Sequence, residues 1–312
     1  MTASRRVLIT GATGFLGRGL VPALSDAGYV VRAATRTPQI VAQAAEGVIV
    51  GDLRLSTNLS AALADVEAVI HLAGMPPGPE ATDEALSRDN NLVSTQRLAE
   101  SAARAGVKRF IYLSSVRAQT GPTSDRIITE DLLAAPTEVY GLSKLGAEQA
   151  VMKSGVPAVI LRPALVHGLG MRFNMATLLR LALTPYPLPV RSFPAKRSIV
   201  ARTHLADAVL LALANPKMTG ETYLVADPEP LSVADMVGVM RTAIGRWPKL
   251  MPMPPAVVRV AARLIGRADD VARMEASLIV DPAKLLRTGW KPRLSTRDAL
   301  AETVREIVLG PR

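Results

Sequence analysis

Short apolar runs rich in β-branched residues alternate, through the first half of this chain, with stretches whose apolar positions recur every three or four residues. Arg6–Thr10, Val30–Thr35 and the runs 47–50, 68–72, 109–114 and 158–161 have the length and composition of buried strands. Between them Leu16, Leu20, Ala23 and Leu24 share one helical face, and a second helical pattern extends over 84–105. This alternation predicts an α/β fold with a doubly wound parallel sheet. Beyond Pro163 the rhythm loosens into a smaller, interrupted lobe. Pro185, Pro187 and Pro189 mark a loop after a helix over 175–183, and another proline-rich connection covers 247–255. Ser232 and Ser295 are placed to cap helices ending near Gly245 and Leu309. The expected division is a sheet domain over 1–165, rejoined by 204–225, and a lobe formed mainly by 166–312.

In such a sheet a ligand lies outside the carboxyl ends of the strands, so the residues where strands stop carry the chemistry. The first strand runs directly into Gly11-Ala12-Thr13-Gly14-Phe15-Leu16-Gly17 and then a helix. Glycines permit that tight turn and let a pyrophosphate approach the backbone and the positive end of the helix. A glycine triplet alone also fits an ordinary strand-to-helix turn; its place between the first strand and the first helix favours the phosphate reading. Later strand ends offer Thr35-Arg36, Gly51-Asp52-Leu53, Leu72-Ala73-Gly74, Leu113-Ser114-Ser115 and Arg162-Pro163.

Tyr140 and Lys144, in Tyr140-Gly141-Leu142-Ser143-Lys144, add a proton-transfer device. On a helix this spacing puts both side chains on one face, where a cation favours the phenolate of a residue that otherwise ionises near pH ~10. The spacing is common by chance, and Ser114 and Ser115 alone would read as a strand end satisfying its own backbone. Together with the glycine turn they form a consistent set.

Composition removes several other classes. The chain has 312 residues, 49% of them hydrophobic, which is enough for a large core. It has no cysteine, and its three histidines, at 71, 167 and 204, lack metal-ligand spacing, so neither thiol chemistry nor a metal is expected. No apolar stretch reaches membrane-spanning length, and the default compartment is the cytoplasm. The net charge of +10 suits an anionic substrate; with 4% aromatic residues and no nucleic-acid module, nucleic acid is not an expected partner. The stretch 255–267 intersperses Val257, Val258, Val260, Ala261, Leu264 and Ile265 with Arg259, Arg263 and Arg267. Such a helix either lies on a membrane surface or packs one face on the core, and the second is the commoner case.

TGATGFLG, GDL at 51–53, HLAG at 71–74, LSS at 113–115, YGLSK at 140–144 and LRP at 161–163 occur in the order seen in extended short-chain dehydrogenases/reductases. The segments 196–208 and 280–292 extend the resemblance over almost the whole chain, toward the NAD-dependent epimerase/dehydratase branch and bacterial UDP-glucose and UDP-N-acetylglucosamine 4-epimerases. The resemblance implies a Rossmann-like dinucleotide-binding domain with a smaller C-terminal substrate-binding lobe. It makes Tyr140 the acid/base, Lys144 its electrostatic partner and ribose ligand, and Ser115 the hydroxyl that holds the sugar oxygen. It assigns Gly11, Gly14, Phe15, Leu16 and Gly17 to the pyrophosphate turn, Asp52 and Leu53 to the adenine, and Ala73, Gly74 and Pro163 to the ribose and nicotinamide side. Asn174 and Arg197 are candidates for the substrate diphosphate, since a guanidinium donates two parallel hydrogen bonds to phosphate. A UDP-linked sugar and a homodimer are the implied partners.

Two alternatives stay open. An NAD-preferring fold usually ends its second strand on a carboxylate, but here that place holds Thr35 and Arg36, which would accept the 2′-phosphate of NADP. NAD is the implied cofactor and NADP the local alternative. The same residues would also serve an NADPH-dependent ketosugar or carbonyl reductase, or a non-catalytic dinucleotide sensor. The usual Val-Tyr-Gly after the Arg-Pro strand end is Val166-His167-Gly168 here, and neither His167 nor Arg117 receives a role.

Overall fold

The computed structural model describes residues 5–55, 58–264, 266 and 268–310. In chain order its strands are β1 (Arg6–Thr10), β2 (Val30–Thr35), β3 (Glu46–Ile49), β4 (Ala68–His71), β5 (Arg109–Leu113), β6 (Ala158–Pro163), β7 (Leu165–His167), β8 (Lys196–Arg197), β9 (Ile199–Ala201), β10 (Thr222–Val225) and β11 (Leu231–Ser232). Seven of them form one sheet in the order β10-β6-β5-β4-β1-β2-β3. Every neighbouring pair is parallel. This is the Rossmann-like doubly wound sheet that the strand and helix alternation predicts.

The two-residue period of the strands builds the core. Val7 and Ile9 of β1 and Ile111 and Leu113 of β5 point into one apolar layer. Leu8, Phe110 and Tyr112 point into the other. Sheet order reverses at β1, which lies between β2 and β4. The crevice above β1 and β4 is therefore the place such a fold offers a ligand. Thr10 and His71, the last residues of those two strands, are paired in register there.

The smaller lobe has its own core, in which Met175, Phe193, Leu231, Met236, Met240, Leu300 and Val304 meet. Ser232 opens the helix Val233–Ala243 with a capping box closed by Asp235, and the Ser295 hydroxyl caps Thr296–Leu309. Arg241 is 1% exposed and ties the proline loop to the 247–255 connection. Its guanidinium donates to the carbonyls of Ala182, Thr184 and Tyr186 on one side and of Pro248 and Lys249 on the other.

The helix Pro255–Leu264 turns Ala262 inward and leaves Val257, Val260 and Leu264 at 52, 57 and 83% exposure. Ile265 and Arg267 lie outside the described residues. No described helix is long and apolar enough to cross a membrane.

Candidate active site

The glycine turn closes against the neighbouring strand in a way that only glycine allows. Gly11 has φ +72°, and a Cβ there would lie 2.8 Å from the Ala73 nitrogen. A Cβ on Gly17 would lie 2.3 Å from the Gly11 oxygen and 2.4 Å from the Ala12 oxygen. Gly14 donates its backbone N–H to the Gly11 carbonyl at 3.0 Å. The following helix, Gly17–Asp26, has no side-chain cap at Leu16 and no acidic residue in its first turn, so its positive end is left for an anion. Leu16 packs on the sheet core and Phe15 on the core of the smaller lobe.

At the switch point His71 is fully buried. Its Nδ1 lies 2.6 Å from the Thr10 hydroxyl and its Nε2 2.9 Å from that of Thr95. The Thr10 hydroxyl also accepts the Ala73 N–H at 3.3 Å. Burial, with a further push from the Lys144 charge, lowers His71 from 6.5 to about 3. His167, the last residue of β7, reaches the last helix with Nδ1 3.0 Å from the Thr303 hydroxyl and is lowered by burial to about 4. In both cases the unfolded chain binds a proton near pH ~6.5 that the folded chain refuses, so their stability contribution is full above that pH and falls below it. Acidification from about pH 7 to pH 5 is expected to cost about 2 kcal/mol per histidine, measured as a lower urea midpoint; an unchanged midpoint would contradict the neutral, buried state of both rings.

Tyr140 and Lys144 lie on the helix Val139–Lys153, which crosses the end of β5. From the end of β5 the Ser115 side chain acts on the Tyr140 hydroxyl, favouring its ionised form. The Ser115 oxygen accepts the Arg117 N–H at 3.1 Å, the bond to its own backbone that a strand-end serine makes. Lys144 is 6% exposed. Its ammonium donates to the Leu113 carbonyl at 2.8 Å and lies 4.4 Å from the centroid of the Tyr112 ring. Burial draws Lys144 from 10.5 down to about 7, opposed by Glu148. Burial also drives Tyr140 up to about 12, against smaller opposite effects of Ser115 and Arg117. The cation at i+4 therefore does not by itself ionise Tyr140 here; desolvation wins and the phenol keeps its proton.

Asn91 supplies the part of this arrangement that sequence reasoning missed. The stretch expected as one helix over 84–105 is a short helix Glu84–Ser87, a π-turn Arg88–Val93 and the helix Ser94–Arg104. The extra residue in the turn carries Asn91 inward, where it is 1% exposed. Its amide donates to the Ser143 hydroxyl at 2.9 Å, and its oxygen accepts the Met75 N–H at 2.9 Å. Ser143 in turn donates to the Tyr140 carbonyl at 2.8 Å, fixing the first turn of the tyrosine helix. Gly74 makes room for this, since a Cβ there would lie 2.7 Å from the Asn91 oxygen. Two adjacent asparagines inside a helical pattern, Asn90 and Asn91, were the available signal.

Asp52 and Leu53 follow β3, with Leu53 buried. The Arg54 guanidinium grips Asp52 at 2.6 Å and its N–H at 2.9 Å, holding the carboxyl down at about 2. Arg36 is exposed past the end of β2 and adds its positive charge to the same carboxylate. Pro163 ends β6 in register with Val225. Asn174 is exposed in the first turn of the helix Phe173–Leu183. Arg197, on β8, donates to the Pro122 carbonyl at 3.1 Å. The structure thus gathers the glycine turn, Ala73, Gly74, Ser115, Tyr140 and Lys144 along the strand ends, while Asn174 and Arg197 belong to the smaller lobe. The turn geometry and the open helix end fit an extended ligand with a pyrophosphate.

The NAD dependent epimerase/dehydratase family model matches residues 7–226. The chain is 33% identical over 318 residues to the UDP-glucose 4-epimerase of Vibrio cholerae, covering 97% of this chain and 96% of that protein. It is 29% identical to the ceramide reductase of Caulobacter vibrioides over 92% of this chain and 86% of that one. Among solved structures it is similar to MoeE5 in complex with UDP-glucuronic acid and NAD, with 26% identity, a TM-score of 0.77 and 96% and 98% of the two chains covered. The chain belongs to the NAD dependent epimerase/dehydratase family.

Proposed function

We propose that the protein is a nucleotide-sugar 4-epimerase of the UDP-glucose or UDP-N-acetylglucosamine type that works through a transient 4-keto sugar with NAD. The observation that carries this reading is the placement of Tyr140 with Ser115 and the buried Lys144 at the strand ends, beside a glycine turn suited to a pyrophosphate. The 33% identity to an epimerase over nearly the whole chain supports it.

When bound, the nicotinamide supplies the hydride acceptor and donor, and its positive charge adds to that of Lys144. Ser115 holds the sugar 4-hydroxyl against Tyr140, which takes its proton as C4 is oxidised and returns it after the sugar has turned over. Lys144 stabilises the tyrosinate that stands ready before the proton is taken and forms again once it is returned. Asn174 and Arg197 are proposed to grip the diphosphate, so that binding energy rests on the nucleotide while the hexose rotates. Incubating UDP-glucose and UDP-N-acetylglucosamine with trace NAD should yield the C4 epimer by NMR without net reduced cofactor. Stoichiometric consumption of NADH or NADPH would replace this reading with a reductase.

The end of β2 favours one refinement of the cofactor assignment. With Thr35 in place of a carboxylate and Arg36 exposed beside it, nothing on β2 repels a 2′-phosphate. NADP is therefore expected to bind within about tenfold of NAD, and Arg36→Asp to weaken NADP alone by more than about tenfold. Calorimetry with both cofactors checks this, and a variant that binds NADP unchanged would exclude Arg36 from that subsite.

A homodimer built on the helices Ser94–Arg104 and Val139–Lys153 goes with the same proposal. Their outer faces form a shallow groove lined by Leu92, Gln96, Gly146 and Ala150, and Leu142 and Met152 are exposed on the tyrosine helix. A cytoplasmic location also goes with it. Light scattering at micromolar concentration reads the oligomeric state.

A further inference from the structure

Four buried polar side chains lie in a row behind Ser115 and Lys144. Gln119, Arg162, Glu148 and Ser114 are 2, 7, 3 and 6% exposed. Arg162 donates Nε to Glu148 Oε1 at 2.9 Å and pairs through Nη2 with Oε2 at 2.5 Å. The Ser114 hydroxyl donates to Glu148 Oε1, and Arg162 Nη1 donates to the Gln119 side-chain oxygen. Gln119 passes the chain on to the Leu132 carbonyl at 2.5 Å. The row thus ties the end of β5, the tyrosine helix, β6 and the turn after Ser115 into one unit.

Burying two charges costs several kcal/mol per ion, and apolar residues of similar volume often serve stability as well. The position of this pair gives a reason for its presence. Glu148 stands one helical turn beyond Lys144, on the same face. Tyr140, on the same helix, and His71, from β4, are neutral, and the Tyr112 ring and Leu113 carbonyl of β5 favour the ammonium without bringing a negative charge. Arg162 from β6 stands behind Glu148, with a charge of the wrong sign.

We propose that Glu148 is a positioning residue: held by Arg162 and Gln119, it fixes Ser114 and so the neighbouring Ser115 hydroxyl, and its carboxylate keeps Lys144 an ammonium beside Tyr140. The proposal rests on the reading of Tyr140 and Lys144 as the proton-transfer pair. Burial of Lys144 opposed by Glu148 accords with it.

The direct test is a lysine titration, which needs no substrate. Protein labelled with ¹³C at lysine Cε is titrated by NMR, with Lys144→Arg identifying the resonance. Glu148→Gln keeps the shape and the hydrogen bond to Ser114 but removes the charge, and the Lys144 midpoint is expected to fall by about one pH unit or more. Glu148→Gln combined with Arg162→Met removes both buried charges, avoids an unpaired guanidinium and is expected to lower the midpoint by less. Ser114→Ala leaves the carboxylate in place, so the midpoint is expected to stay. In turnover, Glu148→Gln should move the alkaline limb of the rate profile to lower pH, whereas a merely structural loss would lower the rate at every pH alike. A folded Glu148→Gln or double variant whose Lys144 midpoint does not move would overturn the proposal. A shifted midpoint in a protein that turns over no nucleotide-sugar would leave the role of Glu148 standing and remove the epimerase reading instead.

Discussion

Tyr140→Phe is expected to lower turnover by about 10²- to 10⁴-fold while cofactor affinity stays within about twofold. The substitution removes one oxygen, the atom proposed to exchange the proton beside Ser115. It leaves the glycine turn, Lys144 and the Asn91–Ser143 support untouched, because Ser143 holds the backbone carbonyl of Tyr140 and not its side chain. The loss should therefore fall on kcat, with KM little changed. Rates measured by NMR and cofactor affinity measured by calorimetry separate the two effects. Near-normal turnover in Tyr140→Phe would show that another group moves the proton.

The second large effect is expected at Gly17. In Gly17→Ala the new methyl carbon would lie 2.3 Å from the Gly11 oxygen and 2.6 Å from the Ala12 carbonyl carbon, and both are backbone atoms that no rotamer change can move aside. The turn must open, which separates the end of β1 from the positive end of the following helix. Overpacking of this kind costs about 1–3 kcal/mol of stability. Because it distorts the pyrophosphate turn itself, a loss of about 100-fold or more in cofactor affinity, roughly 2.7 kcal/mol, is expected. Gly47→Ala is the matching control: Gly47 has open space around its Cβ position, so stability should change by less than about 0.5 kcal/mol. Equal cofactor affinity in Gly17→Ala and the parent protein would mean that the turn does not carry the pyrophosphate.

Much of this molecule was legible in its sequence, for identifiable reasons. Strands buried on both faces, such as β4 and β6, are apolar over Ala68–Ile70 and Ala158–Leu161 and turn polar only near their ends, so they stand out as short apolar runs. The glycine turn was legible because the close backbone approach at Gly11 and Gly17 excludes every other residue. The tyrosine and lysine were legible because one helix carries both at fixed spacing.

Three features were not legible, because they depend on three-dimensional context. The π-turn at Arg88–Val93 adds one residue to a helical pattern without erasing it, so Asn91 read as one more polar position. The protonation state of Tyr140 depends on how deeply the site is buried, which spacing does not reveal. Glu148 received no reading from the sequence for the same reason: only its contacts with Ser114 and Arg162 distinguish it from a solvated helix charge.

The measurement that bears most directly on the reaction uses a UDP-sugar carrying deuterium at C4, incubated with the protein and an excess of unlabelled NAD, with the product read by NMR. If the hydride removed from C4 is held in the site and returned to the same sugar, the epimer forms with deuterium still at C4 and no labelled reduced cofactor accumulates. Epimer formed with C4 protium would contradict that return, and 4-keto or reduced product formed with net change of cofactor would show an oxidoreductase that releases its hydride.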